Sequence, residues 1–222
     1  MKFYISMLLL FQAIVADAQV IIIPFKSNWK YLDNGSNQGS SWRSRIFNDA
    51  TWKTGNAELG YGDGDESTIV SYGSKSSSKY ITTYFRTSIT IANPKLYSSF
   101  NIGIKRDDGA VVYINGVEVF RSNMPSGTIS NSTRASTTAS DDGATTLSKS
   151  LKNSSFIAGT NIIAVEIHQD NPSSPDISFD FSLTGTTPPA PNQLPISNAG
   201  VDQSITLPTT STPLSGAGSD PD

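Results

Sequence analysis

Arg106-Asp107-Asp108-Gly109-Ala110-Val111-Val112-Tyr113-Ile114-Asn115-Gly116-Val117-Glu118-Val119-Phe120 carries two alternating apolar runs joined at Asn-Gly. A two-residue turn of type I′ needs φ > 0 at both central positions, which Asn tolerates and Gly takes freely. The stretch therefore predicts two antiparallel strands joined at Asn115-Gly116. Outward from this hairpin the same period of two recurs. Residues 81–91 place Ile81, Phe85, Ile89 and Ile91 on one face, and residues 100–105 set Phe100, Ile102 and Ile104 against Asn101, Gly103 and Lys105. In 163–170, Ile163, Val165 and Ile167 oppose Glu166, His168 and Asp170; in 176–183, Ile177, Phe179, Phe181 and Leu183 oppose four polar residues. One-sided strands of this kind belong to antiparallel sheets with one face on a core and the other in water. No window sustains a helical stripe, and residues 44–50 offer a turn or two at most. The pattern predicts an all-β protein, an antiparallel two-sheet sandwich closed over Phe85, Phe100, Ile104, Val165, Phe179 and Phe181. Residues 122–150 read as a long polar excursion with one strand near 144–151.

The amino terminus sets the expected compartment. Lys2 precedes an apolar run from Ile5 to Val15 that ends at Ala16-Asp17-Ala18, a small-x-small cleavage pattern. Residues 1–18 read as a secretory signal peptide, and the product as secreted and extracellular; the run is shorter than the roughly 20 residues that span a bilayer. The chain has no Cys, so no disulfide supports the fold and an ordinary apolar core must. Lys+Arg 16 against Asp+Glu 19 gives a net charge of −3, and no basic run tracks a phosphate backbone, which argues against a nucleic-acid partner. After Gly185 the composition shifts to Thr186-Thr187-Pro188-Pro189-Ala190-Pro191-Asn192-Gln193-Leu194-Pro195, an extended polyproline linker over 186–195.

Nucleophilic catalysis has little to draw on, with no Cys and a single histidine, His168. Glu166 and His168 at i, i+2 on an exposed strand face suit a histidine on a surface or rim better than half of a triad. One His also cannot furnish the nitrogen-rich set of catalytic zinc. The chain is expected not to be an enzyme and to require no cofactor. Gly62-Asp63-Gly64-Asp65-Glu66 has two readings: a solvated turn, or an oxygen-ligand loop in which Asp63, Asp65 and Glu66 hold a structural Ca²⁺. Asp107-Asp108-Gly109 is likewise either an Asx-type turn or a carboxylate pair on a ligand rim. Trp and Tyr rings stack on the apolar face of pyranoses, and Trp42 and Tyr61 are the candidate stacking platforms, with Asp107, Asp108 and His168 as rim groups that select hydroxyl patterns.

These motifs resemble the galactose-binding-like, jelly-roll β-sandwich found as an accessory domain in secreted glycoside hydrolases. The resemblance rests on Asp107 to Glu118, on Leu59-Gly60-Tyr61-Gly62-Asp63-Gly64, and on Ala158-Gly159-Thr160-Asn161-Ile162-Ile163-Ala164-Val165-Glu166. Phe47-Asn48-Asp49-Ala50-Thr51-Trp52 is similar to the Phe-Asp-Asp-x-x-Trp pattern of the sugar-binding-like domain of family 2 glycoside hydrolases, where the Trp packs; Asn48 departs from the commoner Asp. The resemblance assigns Trp52 to the core and places the domain over 19–185. Residues 196–222, with Asn198-Ala199-Gly200-Val201-Asp202-Gln203 and Gly216-Ala217-Gly218-Ser219-Asp220-Pro221-Asp222, resemble the start of a PKD-type Ig-like domain. About 27 residues cannot bury a sandwich core, so this second domain is expected to be incomplete and the bacterial polypeptide longer. The implied function is a non-catalytic carbohydrate-binding or substrate-targeting module at the N-terminus of a larger secreted protein, with a polysaccharide or cell-surface glycan as partner. The alternative is a structural spacer or adhesion-type module that positions a downstream hydrolase or phosphoesterase.

Overall fold

The computed structural model describes residues 17–202, 204, 206–208, 213 and 215–221. Apart from Asp17 and Ala18, the expected signal peptide lies outside the described residues. One compact unit spans Asp17–Pro188, and the described residues from Pro189 onward belong to a second.

In chain order the first unit contains β1 (Ala18–Ile23), β2 (Asn28–Leu32), β3 (Lys53–Asn56), β4 (Leu59–Tyr61), β5 (Thr68–Ile69), β6 (Thr82–Ile91) and β7 (Ser99–Asp107). There follow β8 (Gly109–Ile114), β9 (Val117–Ser122), β10 (Leu147–Leu151), β11 (Gly159–His168) and β12 (Ile177–Thr187). The first sheet runs β10-β7-β12-β4-β5, with β1 also on β12; the second runs β3-β2-β6-β11-β8-β9. Pairing is antiparallel except for the short β4–β5 pair. The far edge of β12 is divided: β4 takes Ile177 to Phe179 and β1 takes Leu183 to Thr187, so that Ala18 pairs with Thr187. The strand thus runs past Gly185. The β8–β9 turn has Asn115 at φ 52° and Gly116 at φ 88°, the left-handed pair that a type I′ hairpin needs.

The six expected core residues all lie between the sheets. Phe179 stacks on Phe85 at 4.1 Å and meets the edge of Trp29 at 5.0 Å. Offset and edge-to-face rings fill this space because their quadrupoles disfavour a face-to-face sandwich.

The outer faces differ from the expectation that they are wet. Trp42, Trp52, Tyr84, Val111, Tyr113, Met124, Ile129, Ala135, Ile162 and Ala164 form a second apolar cluster on the far side of the second sheet. Two-residue alternation separates the faces of a strand, but whether a face meets water depends on segments that return from elsewhere in the chain. Here the 33–52 segment, with a short 3-10 turn at Ser41–Arg43, and the 123–139 segment supply that cover. Residues 44–50 themselves form no helix. On the first sheet, Ser178 and Asp180 are also buried, and Asp180 accepts the amides of Lys26 at 3.0 Å and Phe181 at 2.7 Å.

The second unit contains one antiparallel pair, β13 (Ile196–Asn198) with β14 (Ala217–Ser219). Two three-residue strands occur in many β folds, and they do not single out a PKD-type domain.

Candidate functional site

The register of the first sheet gathers carboxylates at one end. Tyr61 pairs with Ile177, and Asp107 with Ser178, so the loop after β4, the last residue of β7 and the residue before β12 become neighbours. Gly62, at φ 117°, allows the approach: a Cβ there would lie 2.5 Å from the Asp176 Cβ. Within the loop both oxygens of Glu66 are committed, accepting the amides of Asp63 and Gly64 at 3.0 Å each. Glu66 therefore braces the turn. Asp63 instead meets Asp142 and Asp176, with one carboxylate oxygen from each within 4.8 Å of the others. A second triad of the same spread, Glu58, Asp63 and Asp65, shares Asp63, and both are acidic groups with the geometry to hold a metal ion.

Crowded carboxylates hold their protons. Burial, then Asp108 and Asp176, push the Asp107 carboxyl up to about 9. Burial and Asp176 push Asp63 up to about 7, and burial also raises Asp176. Beside them an open hollow of about 330 Å³ is lined by Glu58, Asp63, Asp65, Lys105, Asp142 and Gly143. Lys105 makes no ion pair among the described residues. Asp142 and Asp176 were missed in the sequence, although Asp141-Asp142-Gly143 repeats the Asp-Asp-Gly signature and Asp176 caps a clean strand. Nothing in the spacing says that they meet.

Asp108 does not lie on a rim. It is fully buried, its Oδ1 accepts the amide of Ala139 at 2.7 Å, and its Oδ2 accepts the amide of Asp170 at 2.8 Å. It pins two loops to the end of β7. His168 is fully buried as well, which corrects its placement on an exposed face; the 129–135 segment covers it. The Thr133 carbonyl lies 2.7 Å from His168 Nδ1 and can only accept, so Nδ1 carries a proton. Its hydroxyl neighbour is Thr82 at 3.0 Å, and Thr82 Oγ1 donates to the Asn131 carbonyl. Glu166, 3.4 Å from His168 Nε2, accepts from Tyr113 at 2.6 Å and pairs with Arg43 at 3.4 Å.

The two expected platforms are corrected too. Trp42 is fully buried among Tyr84, Tyr113 and Trp52, with ring centroids at 4.8, 5.9 and 6.4 Å. Tyr61 is buried against Tyr72 at 5.0 Å, with the Lys79 ammonium 4.9 Å over its ring and its hydroxyl bonded to Gln169. Neither ring has a face free for a sugar. Trp52 is buried, but in the outer cluster rather than between the sheets.

An open polar groove of about 350 Å³ lies on the second sheet, lined by Asn28, Lys30, Arg45, Phe47, Asp49, Thr54, Arg86, Ser88 and Ile162 among others. Lys30 and Arg86 are registered neighbours on β2 and β6, a like-charge pair that would repel. Asp49 bridges them, accepting from Lys30 Nζ at 2.6 Å and from Arg86 Nε at 2.9 Å. Burial alone would raise the Asp49 carboxyl, but these two cations outweigh it and hold the group below its ordinary value. Phe47 is half-buried over the Arg86 guanidinium, and exposed Arg45 has no hydrogen-bond or ion-pair partner among the described residues. The sequence reading passed over this groove because Phe47 stood there only as part of a packing motif.

No family model matches the chain, and no curated protein matches it. Among solved structures, it is similar to a β-glucuronidase from glycoside hydrolase family 2, at 16% identity and a TM-score of 0.48, over 78% of this chain and 18% of that chain. It is also similar to the Bacteroides uniformis β-glucuronidase, at 14% identity and a TM-score of 0.49 over 77% and 18% of the two chains. A β-glycosidase from Bacteroides vulgatus is similar at 17% identity and a TM-score of 0.44, over 82% and 22%. The chain thus spans between 18% and 22% of the length of these three enzymes.

Proposed function

We propose that the Asp17–Pro188 unit is a non-catalytic carbohydrate-binding module of an exported protein, and that its ligand occupies the groove beside Phe47. The groove carries this reading. Saccharides are bound by polar groups already fixed in place together with an apolar surface for the ring's C–H face, because ordering flexible donors would cost affinity. Lys30, Asp49 and Arg86 hold one another before any ligand arrives, while Phe47 and Ile162 supply the apolar part. Arg45 is a further donor with no partner to surrender. The apolar leader pattern before Ala18 supports export, and no helix among the described residues is long and apolar enough to cross a membrane.

The test is native affinity electrophoresis of the protein in gels containing plant, algal or bacterial polysaccharides. At least one polysaccharide should retard the wild type, and Phe47→Ala or Lys30→Ala should relieve that retardation while the protein stays folded. Free migration of the wild type through every gel would overturn the reading.

A further inference from the structure

We propose that the saccharide taken by the groove beside Phe47 is an anionic one, whose carboxylate or sulfate ester is received by Arg45 and Lys30. This rests on the reading of that groove as a sugar site and names the chemical class of its ligand.

Sheet register brings the cations together. Lys30 on β2 is paired with Thr54 on one side and Arg86 on the other, and Ser88, two residues along β6, is paired with Ile162 of β11. Directly paired residues and residues two apart share a face, so Lys30, Arg86 and Ser88 come to the same outer surface. The loop that Arg86 holds through Asp49 and the Ser44 carbonyl adds Arg45 and Phe47.

Among the described residues that line the groove, Lys30, Arg45 and Arg86 are cations and Asp49 is the one acid. Two positive charges are thus left uncompensated there, on a chain whose net charge is −3. Asp49 cannot answer a ligand, because its Oδ1 is taken by Lys30 at 2.6 Å and its Oδ2 by Arg86 at 2.9 Å. Arg86 is itself spent on Asp49 and on the carbonyls of Trp42 and Ser44, so it contributes charge from beneath the floor and no free donor. The donors left over are those above it. Lys30 uses two of its three ammonium hydrogens on Asp49, and exposed Arg45 uses none of its five N–H groups among the described residues.

A site with spare cationic donors and an occupied carboxylate favours a group that only accepts. Sugar hydroxyls donate as well as accept and carry no charge, whereas an oxyanion offers acceptors alone, and its charge-assisted bonds are about twice as strong as neutral ones. Thr54 and Ser88 add hydroxyls for the rest of the ring.

The experiment is affinity electrophoresis of the full chain, against a non-binding reference protein, in gels holding polysaccharides that share a backbone and differ in charge. The pairs are polygalacturonate with its methyl ester, and dextran sulfate with dextran. The charged member of at least one pair should bind more tightly by about tenfold or more, the worth of one hydrogen bond to a charged group. Retardation by polygalacturonate alone assigns a carboxylate, and by dextran sulfate alone a sulfate ester. Arg45→Gln should melt like the wild type and lose the preference for charge, and added NaCl should weaken it. Equal retardation by both members of each pair, relieved by Phe47→Ala, would overturn the anionic class and leave the sugar reading standing. Retardation by a charged member that Arg45→Gln leaves undiminished would also overturn it, since the anion would then be held elsewhere. Free migration through charged and uncharged gels alike would overturn both.

Discussion

Arg86, 1% exposed on β6, holds Asp49 through Nε and Oδ2 at 2.9 Å and donates to the main-chain carbonyls of Trp42 and Ser44 with the same guanidinium. One strand residue thereby anchors the whole loop that carries Phe47 and lines the groove. Asp49→Ala should leave a buried cation uncompensated and cost about 3–5 kcal/mol, the usual penalty for removing one partner of a buried pair. Lys30 is far more exposed, so Lys30→Ala should cost less than about 1 kcal/mol. Urea melts of the two variants measure the difference. Equal losses would mean that the loop does not depend on the Arg86–Asp49 bond.

Trp42→Ala should destabilise the protein by about 3–5 kcal/mol, the range for emptying a packed aromatic site. Trp52→Ala should lie toward the low end, because its ring is at the rim of the same cluster. Both effects appear in denaturant midpoints with or without saccharide. A Trp42→Ala protein of wild-type stability would put that ring back on the surface.

The chelated protein should be less stable in mild alkali than in mild acid. Asp107 is pushed up to about 9 and Asp63 up to about 7, while an unfolded Asp titrates near 4. Between about pH 4 and pH 9 the folded chain therefore binds protons that the unfolded chain has released, and stability falls as pH rises. Asp49 and Asp141, both held low with cationic partners, act in the opposite sense only toward the acid limb, where they protonate. Melts in chelator should reach their highest midpoint near pH 5 and decline toward pH 9. A flat profile would mean that these acids are not crowded.

Ending the chain after Pro188 should move the melting midpoint by little, since the compact unit closes at that residue. Removing β1 should do much more. It would strip the partner of Leu183 to Thr187 and leave half of a long strand with an open edge. Differential scanning of the two truncated proteins separates these outcomes, and comparable losses would show that the tail contributes to the sandwich.

The inter-sheet core was legible because it depends on one property, the period of two, and each strand shows it locally. Asn115-Gly116 was legible for a similar reason, since the turn type dictates both residues. The burial of Glu166, His168 and Trp42 was not. Their strands or turns present them outward, and only the return of the 33–52 and 123–139 segments removes them from water. The acidic end failed differently. Asp63 stood out in its glycine loop, but its partners are Asp142 and Asp176, which sheet register brings to it from far along the chain. That Glu66 braces its own loop was not legible either, because a sequence shows charge without showing which amides it accepts.

Ala18 and Thr187 are paired across the edge of the first sheet, so the chain enters and leaves this unit on adjacent strands, about 5 Å apart in the usual ladder. Residues 183–186 of β12 are therefore paired on both sides, by β7 and by β1, and it is β1 that presents the open edge of the sheet there.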